Sequence, residues 1–317
     1  MTTLREFQPQ TDDFREQVLR GLRRPQKEVP SKFLYDERGS QLFDRICELN
    51  DYYPTRTESA IMREHASDMA ALLGERCLLI EYGSGSSIKT RILLEHLRDP
   101  AGYVPVDISK EHLLSSAREL ARSYPQIPIL PVCADYTDTY EVPRPEGTVS
   151  RSAVYFPGST IGNFIRSEAV LFLKHIAEVC GSRGALLIGI DLIKDKGTLE
   201  RAYDDSEGVT AEFTFNLLER INRELDGDFQ RKHFAYQALY NESHARVEMY
   251  LVSRVEQRVR IGDAEIHLEE GERISTEYSH KFSLESFREL AEAVGFEVQR
   301  SWIDPDRLFS VQYLTIA

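Results

Sequence analysis

Small residues cluster in one short stretch of the chain, EYGSGSS at 81–87, which lies between an apolar run and a helical pattern. Gly83, Ser84 and Gly85 would let the backbone approach a ligand closely, and the start of a helix supplies unpaired N–H groups that bind a carboxylate. Lys89, one turn into that helix, is within reach of the same carboxylate. A dinucleotide-binding turn would need a third glycine where Ile88 stands, so the stretch favours a different nucleoside ligand.

Acidic residues end the next two predicted strands. Asp107 can accept hydrogen bonds from both hydroxyls of a ribose, and Asp135 can accept one from an adenine amino group while Tyr136 packs near the ring. Glycines and two aspartates at three successive strand ends therefore predict a nucleoside site. Each of these residue types is also common in ordinary turns, so the prediction depends on the set.

The loop GSTIGN at 158–163 follows a fourth predicted strand. In a doubly wound sheet, ligands bind beyond the carboxyl ends of the strands, so we expect Gly158 to face the nucleoside ligand. Asn163 offers both a donor and an acceptor, which suits a zwitterionic amino acid. Its alternative role is to cap the next helix.

Short apolar strands alternate with helices through the middle of the chain. The predicted strands are 77–82, 102–107, 127–133, 153–156 and 185–193, with helices through 88–97, 109–122 and 167–179. This alternation predicts an α/β fold with a mainly parallel, doubly wound sheet. A helix capped by Ser283 and two strands joined at Asp304-Pro-Asp306 predict a C-terminal antiparallel hairpin. That combination is typical of the Rossmann-like class I methyltransferases and not of the all-parallel dinucleotide fold.

The alternation stops after Lys194. The sequence there predicts a smaller α+β part, with a helix at about 209–225 and strand-like segments at 234–240, 246–259 and 274–282. Before the alternation begins, an amphipathic helix is predicted at 57–73. We therefore expect a methyltransferase domain at 61–195 and 283–317, and a substrate-binding domain at 1–60 and 196–282.

Composition narrows the classes of partner and compartment. The 39 basic and 52 acidic residues give a formal net charge of −13, which opposes a nucleic-acid partner. The four cysteines are far apart and lie among apolar neighbours, so we expect buried thiols and no metal site. The first residues lack an apolar signal core, and no apolar run is long enough to span a bilayer, so a cytoplasmic protein that does not act at a membrane is expected.

Several motifs resemble one family. The chain is similar to the histidine Nα-methyltransferases of ergothioneine biosynthesis, a group related to fungal enzymes that N-methylate tryptophan derivatives. YYPTRTE at 52–58 and GSTIGN at 158–163 are the most specific motifs. The other matching segments are KFLYD at 32–36, GSQLFD at 39–44, EYGSG at 81–85, RAYDDSEGVT at 201–210, VEM at 247–249 and TEYSHKF at 276–282.

The resemblance implies the cofactor S-adenosylmethionine and a role for each matching residue. Tyr35 would fix the methionine end of the cofactor and the reacting amine, and Asn163 and Tyr203 would hold the substrate's amino and carboxylate groups. Tyr52 would line the imidazole pocket. Three further side chains would complete it, with Met249 packing beside the ring and Glu277 and Ser279 hydrogen-bonding to it.

The pair Glu277 and Ser279 favours histidine over tryptophan as the substrate. A carboxylate and a hydroxyl can engage both nitrogens of an imidazole, whereas an indole has one N–H to offer. An analogue without the second nitrogen would leave Glu277 buried and unpaired. Tyr136, where Phe is common, and Tyr82, where a smaller aliphatic residue is usual, depart from the family pattern without removing a polar contact.

The expected reaction is displacement of the methyl group by the amine, with no covalent enzyme intermediate and no dedicated base. By resemblance it would repeat until L-histidine becomes the trimethylated betaine hercynine, and the enzyme is expected to be a monomer. One alternative is an N-methyltransferase of another amino acid such as tryptophan. A more distant alternative is a module that binds S-adenosylmethionine without turnover. The residue Ile88 and the C-terminal hairpin disfavour an NAD-linked oxidoreductase.

Overall fold

The computed structural model describes residues 4–7, 11–85, 88–138 and 140–316. The chain divides into two compact units. The first unit contains residues up to Gln8, Pro54–Ile193 and His280–Ala317, and the second contains Pro9–Tyr53 and Lys194–Ser279. The second and third segments of the first unit begin at Pro54 and His280, whereas the sequence predicted that the methyltransferase domain has segments beginning at 61 and 283.

The helices and strands follow the alternation that the sequence predicts. The helices are α1 Thr11–Leu22, α2 Glu37–Glu48, α3 Tyr53–Leu73, α4 Ile88–Leu94, α5 Lys110–Ser123, α6 Arg166–Cys180, α7 Lys196–Tyr203, α8 Val209–Leu225 and α9 Leu284–Glu292. The strands are β1 Arg5–Phe7, β2 Lys27–Glu28, β3 Cys77–Tyr82, β4 Gly102–Asp107, β5 Val132–Ala134, β6 Arg151–Phe156, β7 Ala185–Asp191, β8 Phe234–Asn241, β9 Arg246–Ser253, β10 Gln257–Ile261, β11 Ala264–Leu268, β12 Arg273–His280, β13 Phe296–Ile303 and β14 Phe309–Ile316.

The first unit is built on an eight-stranded sheet of order β1-β5-β4-β3-β6-β7-β14-β13. Neighbouring strands from β1 to β7 pair in parallel, and the hairpin of β13 and β14 is antiparallel. Side chains alternate across β3, so Leu78 and Ile80 pack with α6 and α9 on one face while Cys77 and Leu79 pack with α3, α4 and α5 on the other. This topology confirms the predicted α/β fold with a C-terminal hairpin.

The second unit contains a four-stranded sheet of order β2-β12-β9-β8 and a separate hairpin of β10 and β11. Its largest helix, α8, packs on α2. Asp36 caps α2 by accepting from the Gly39 amide at 2.8 Å, and it also accepts from Asn216 Nδ2 of α8 at 2.7 Å. These bonds fix the start of α2, which directly follows Tyr35.

Four predictions are corrected. The strand predicted at 127–133 is reduced to β5, because Pro128 and Pro131 have no backbone N–H for the ladder. The strand predicted at 246–259 is two strands, β9 and β10, and Gly262 at a φ of +60° then turns the chain into the unpredicted β11. The helix α3 begins at Tyr53 and not at residue 57. The N-terminal strand β1, placed by the sequence in the second part, pairs with β5 in the first unit.

Candidate active site

The carboxyl ends of the parallel strands bring the predicted nucleoside residues to one edge of the first unit's sheet. β3 lies between β4 and β6, and the chain leaves β3 toward β4 but leaves β6 toward β7. The strand order therefore reverses between β3 and β6, which is the position where doubly wound sheets form a ligand-binding crevice. The glycine turn follows β3 and the GSTIGN loop follows β6, so the two loops predicted to bind ligands flank this position.

Backbone hydrogen bonds hold the glycine turn against β4. The amide of Gly83 donates to Val106 O at 2.9 Å, and that of Ser84 donates to the same oxygen at 3.3 Å. Gly83 and Gly85 have φ values of +67° and +46°, in the left-handed region that glycine tolerates best. The glycines are thus required by the turn's shape. Residues 86 and 87 of this predicted motif, and the Ile88 side chain, lie outside the described part of the chain.

Asp107 joins the turn to the strand that follows it. Its Oδ2 accepts from the Gly85 amide at 3.0 Å and its Oδ1 accepts from the Ser109 amide at 2.9 Å. Burial raises the pKa of Asp107 above its ordinary value, although these amides oppose the shift. A carboxylate offers about four acceptor positions, so two amides leave capacity for a ribose diol. The geometry fits the predicted ribose-binding role.

Asp135 follows β5, and Tyr136 after it lies beside the glycine turn. Asp135 is 5% exposed and accepts at Oδ1 from the amide and the hydroxyl of Thr137, at 3.0 and 2.6 Å. Tyr136 stacks on Tyr82 with ring centroids 5.7 Å apart, and its Cε1 is 4.0 Å from where a side chain on Gly83 would begin. Tyr136 therefore stands next to the glycine turn, where an adenine-contacting ring is expected.

Lys89 is paired with a carboxylate that the sequence analysis missed. Its Nζ forms an ion pair with Oε2 of Glu58, which is 0% exposed on α3. The same oxygen accepts from the Gly158 amide at 2.9 Å. Glu58 is the last residue of the YYPTRTE motif, and that motif was the available signal.

A second buried carboxyl group lies in β3. Glu81 is 2% exposed and accepts from the hydroxyls of Thr90 and Tyr103. Burial raises the pKa of Glu81 to about 7, with Thr90, Tyr103 and Lys89 opposing the shift and Glu58 adding to it. Glu81, the acidic residue of the EYGSG motif, is therefore buried in β3 and is not part of the glycine turn itself.

The second unit brings together most of the residues assigned to the substrate. Glu277 and Ser279 are two positions apart on β12. Tyr35 OH donates to Glu277 Oε1 at 3.4 Å, and Tyr203 OH lies 2.8 Å from Ser279 Oγ. Four of the predicted side chains therefore form two directly bonded pairs along one strand.

Aromatic rings surround these pairs. Tyr35 packs edge-on against Phe43 and Phe213, with centroids 5.5 and 5.3 Å away, and Tyr52 packs edge-on against Tyr203 at 5.8 Å. Both rings of the second contact are 8% exposed. These contacts restrict the hydroxyls to defined positions, which is what selective binding of a polar ring requires.

Met249 is 2% exposed on β9, next to β12 in the sheet. Thr276 Oγ1 donates to its carbonyl at 3.0 Å, and this side-chain bond adds to the pairing of the two strands. On the other side, Ala238 of β8 pairs with Met249. The residue expected to pack beside the imidazole is therefore held in the centre of this sheet.

Asn163 belongs to the first unit, at the end of the 3-10 helix Thr160–Asn163. This helix is anchored by its neighbour: the carbonyl of Gly162 is 2.9 Å from His280 Nδ1, and any side chain on Gly162 would press against the His280 backbone. Asn163 is half-buried. The tight packing of Gly162 explains why the motif has glycine there and fixes the position of Asn163.

A buried ion pair at the end of β7 was also missed. Lys281 Nζ lies 2.7 Å from Asp191 Oδ2, and both side chains are almost fully buried. The Asp191 amide donates to Ser159 Oγ of the GSTIGN loop at 2.9 Å. No local pattern predicts a pair of residues so far apart in sequence. Lys281 belongs to the motif TEYSHKF, so its match to the family was the signal.

The remaining sequence predictions concern the four cysteines, metal ligands and membrane-spanning segments. Cys77, Cys133 and Cys180 are buried as expected, whereas Cys47 is only half-buried, and no disulfide joins the four. Burial raises the pKa of Cys77 and of Cys180 to about 12. In the described ranges, no cluster of three or more His, Cys, Asp or Glu side chains is arranged to hold a metal ion. Of the helices described, none combines the length and apolar character needed to cross a membrane.

Comparison with known proteins confirms the family resemblance. A family model described as "Histidine-specific methyltransferase, SAM-dependent" matches residues 14–316. The chain is 41% identical to the histidine N-alpha-methyltransferase of Mycolicibacterium smegmatis, over 92% of this chain and 91% of that protein. It is 33% identical to ergothioneine biosynthesis protein 1 of Neurospora crassa, over 87% of this chain and 32% of that protein. It is 26% identical to a 4-dimethylallyltryptophan N-methyltransferase of Aspergillus fumigatus, over 92% and 90% of the two chains. The chain belongs to the family of histidine-specific, S-adenosylmethionine-dependent methyltransferases.

Proposed function

We propose that this enzyme transfers three methyl groups to the α-amino group of L-histidine and forms hercynine for ergothioneine biosynthesis. The observation that carries the proposal is the pairing of Glu277 with Tyr35 and of Ser279 with Tyr203 on one strand of the second unit. Together these groups offer a carboxylate and hydroxyls at neighbouring positions, which suits the two nitrogens of an imidazole. The family match and the 41% identical relative support the same substrate.

The first unit supplies most of the cofactor residues in this proposal, and Tyr35 of the second unit would contact the methionine end. Asp107 would bind the ribose, Asp135 and Tyr136 the adenine, and Lys89 the methionine carboxylate. Gly83, Ser84, Gly85 and Gly158 would line the cofactor with backbone. When bound, S-adenosylmethionine supplies an electrophilic methyl group.

The enzyme's own residues have a positioning task. Tyr203 and Asn163 would hold the amino acid by its carboxylate and amino groups, and Tyr52 and Met249 would line the ring. The Tyr35 hydroxyl, whose ring is fixed between Phe43 and Phe213, would orient the amine. Fixed orientation of reacting groups accounts for a large part of catalysis in bimolecular reactions, and a proton leaving the amine can pass to water.

The acidic charge and the thiols bear on partners and compartment. A formal charge of −13 opposes a nucleic-acid substrate, and four cysteines without a disulfide suit a reducing compartment. We extend the proposal to a monomeric enzyme of the cytoplasm that acts on the free amino acid. Light scattering of the purified protein tests the monomer.

The decisive experiment is incubation with S-adenosylmethionine and L-histidine, followed by mass spectrometry. Successive mono-, di- and trimethylated histidine with equivalent release of S-adenosylhomocysteine is expected. A parallel panel contains tryptophan, 4-dimethylallyltryptophan and imidazole compounds without an α-amino group. Faster turnover of an indole substrate would replace histidine in the proposal, and no turnover of any amine would refute it. The Tyr203→Phe variant, which keeps the ring but loses the hydroxyl, should show a raised KM for histidine.

A further inference from the structure

Two groups from different parts of the first unit converge on one carboxylate oxygen of Glu58. Oε2 of Glu58 on α3 contacts Nζ of Lys89 on α4 and accepts from the amide of Gly158 after β6. The Gly158 backbone and Lys89 Nζ are themselves neighbours, since a side chain on Gly158 would begin 3.6 Å from that nitrogen. One oxygen therefore links α4, the helix that follows β3, to the loop after β6, at the point where the strand order reverses.

Because the Glu58 carboxylate is buried, this link needs partners that compensate its charge. The Glu58 side chain is fully buried and that of Lys89 is 17% exposed. A buried carboxylate is costly unless a charge and hydrogen bonds compensate it, and Lys89 and Gly158 supply both. Space for the carboxylate comes from Gly189 of β7, because any side chain there would overlap Oε1 of Glu58.

The ion pair determines where the lysine ammonium stands. A lysine side chain is long and flexible, and both the water beyond the crevice and a ligand carboxylate compete for its position. An ammonium has three donors, and the bond to one oxygen of Glu58 leaves hydrogen-bonding capacity for a second carboxylate. Glu58 thus removes the flexibility of Lys89 before a ligand arrives, which lowers the entropic cost of binding.

We propose that Glu58 is a positioning residue for the cofactor, which acts by holding the Lys89 ammonium in place to receive the methionine carboxylate, while its bond to the Gly158 amide fixes the loop beside that ammonium. This inference rests on the proposed cofactor role of Lys89 and adds a residue that contacts the cofactor only through others. Glu58 would affect only the methionine end of the cofactor. The nucleoside end would be held by Asp107, Asp135 and Tyr136, without any contribution from Glu58.

The test compares two ligands by calorimetry. S-adenosylhomocysteine carries the carboxylate, whereas 5′-methylthioadenosine has the same nucleoside and sulfur without the amino acid. Glu58→Gln keeps the shape and removes the charge, and Lys89→Met removes the ammonium. Loss of a charge-assisted hydrogen bond corresponds to about 10- to 100-fold in affinity, so each variant should lose that much for S-adenosylhomocysteine. Affinity for 5′-methylthioadenosine should stay within about twofold, because that ligand lacks the group which the bond positions.

The double variant shows whether Glu58 acts through Lys89. If it does, the losses are not additive, and Glu58→Gln combined with Lys89→Met binds S-adenosylhomocysteine about as well as Lys89→Met alone. Additive losses, an unchanged affinity for S-adenosylhomocysteine, or an equal loss for both ligands would each overturn the inference.

Two controls separate this outcome from misfolding and from the proposed function. Glu248→Gln removes a buried carboxylate of the second unit that is bonded to Arg246 and Tyr250, and it should leave both affinities unchanged. Should Glu58→Gln fail to fold, Lys89→Met still decides, because its side chain is partly exposed and an unchanged S-adenosylhomocysteine affinity would overturn the inference. Enzyme that binds both ligands as expected but methylates another amine would refute the proposed substrate and leave this inference standing.

Discussion

Replacement of Glu277 tests the histidine site most directly. Glu277 is half-buried on β12, and the Tyr35 hydroxyl donates to it at 3.4 Å. That separation is longer than the usual 2.5–3.0 Å of an O–H···O hydrogen bond, so its loss should cost the fold less than about 1 kcal/mol. The Tyr35 bond therefore contributes little to the fold, and we predict that substitution of Glu277 acts mainly on the ligand.

The expected magnitude follows from the type of bond that is lost. A hydrogen bond between a carboxylate and an imidazole N–H is worth about 1.5–3 kcal/mol, which corresponds to roughly 10- to 150-fold in affinity. Glu277→Ala removes the whole interaction and should raise the KM for histidine toward the upper end of that range. Glu277→Gln keeps a neutral acceptor and should remain near the lower end. Because the ring is remote from the reacting amine, kcat should change less than KM.

The assay is calorimetry with histidine and, separately, with S-adenosylhomocysteine, supported by steady-state kinetics. The Glu277 variants should lose affinity for histidine alone. Asp107→Ala is the matched control and should show the reverse pattern, with weak S-adenosylhomocysteine binding and a nearly unchanged affinity for histidine. Equal losses of both ligands in Glu277→Ala would show that the residue supports the fold and does not contact the imidazole.

Two further predictions concern the buried groups of the first unit. Glu81 keeps its proton in the folded state up to a pH of about 7, whereas the unfolded chain releases it near 4.5. The free energy of unfolding should therefore fall as the pH rises through this window. Glu81→Gln should remove up to roughly 3 kcal/mol of that fall, as measured by denaturant unfolding at pH 5 and pH 8. Identical pH profiles of the variant and the parent would contradict a raised pKa of Glu81. Gly189→Ala should place its methyl group against Glu58, destabilise the protein by about 1–3 kcal/mol and weaken S-adenosylhomocysteine binding; a stable variant with unchanged binding would refute the packing argument.

Local patterns were sufficient to predict much of the fold. The helix α8 occupies 209–225 as predicted, and β3, β4 and the C-terminal hairpin lie where apolar runs and turn residues place them. These signals are local, because burial of one face imposes a period and a turn imposes particular residues. The shortening of β5 was also readable, since prolines at 128 and 131 cannot donate to a ladder.

Long-range pairs were not predictable from the same patterns. Glu58 looks like an ordinary polar residue on a helix, and its burial depends on Gly189 in a distant strand. The pair of Asp191 and Lys281 poses the same problem, because each residue alone is a typical surface side chain. Only the match of Glu58 and Lys281 to family motifs marked them, and a motif identifies a residue without saying which partner it contacts.

The protonation of Glu81 gives the Glu58 inference a pH dependence of definite sign. Below pH 7 the raised pKa keeps Glu81 largely neutral, so Glu58 is the carboxylate that balances Lys89. In Glu58→Gln the repulsion between the two carboxylates is gone while the attraction of Lys89 remains, so Glu81 should ionise at a lower pH than in the parent. Above pH 7 it can then balance Lys89 in part, although Thr90 and Tyr103 hold it away from Gly158. The loss of S-adenosylhomocysteine affinity in Glu58→Gln should accordingly be smaller at pH 8 than at pH 6. A defect that grows with pH would contradict this partial compensation of Lys89 by Glu81.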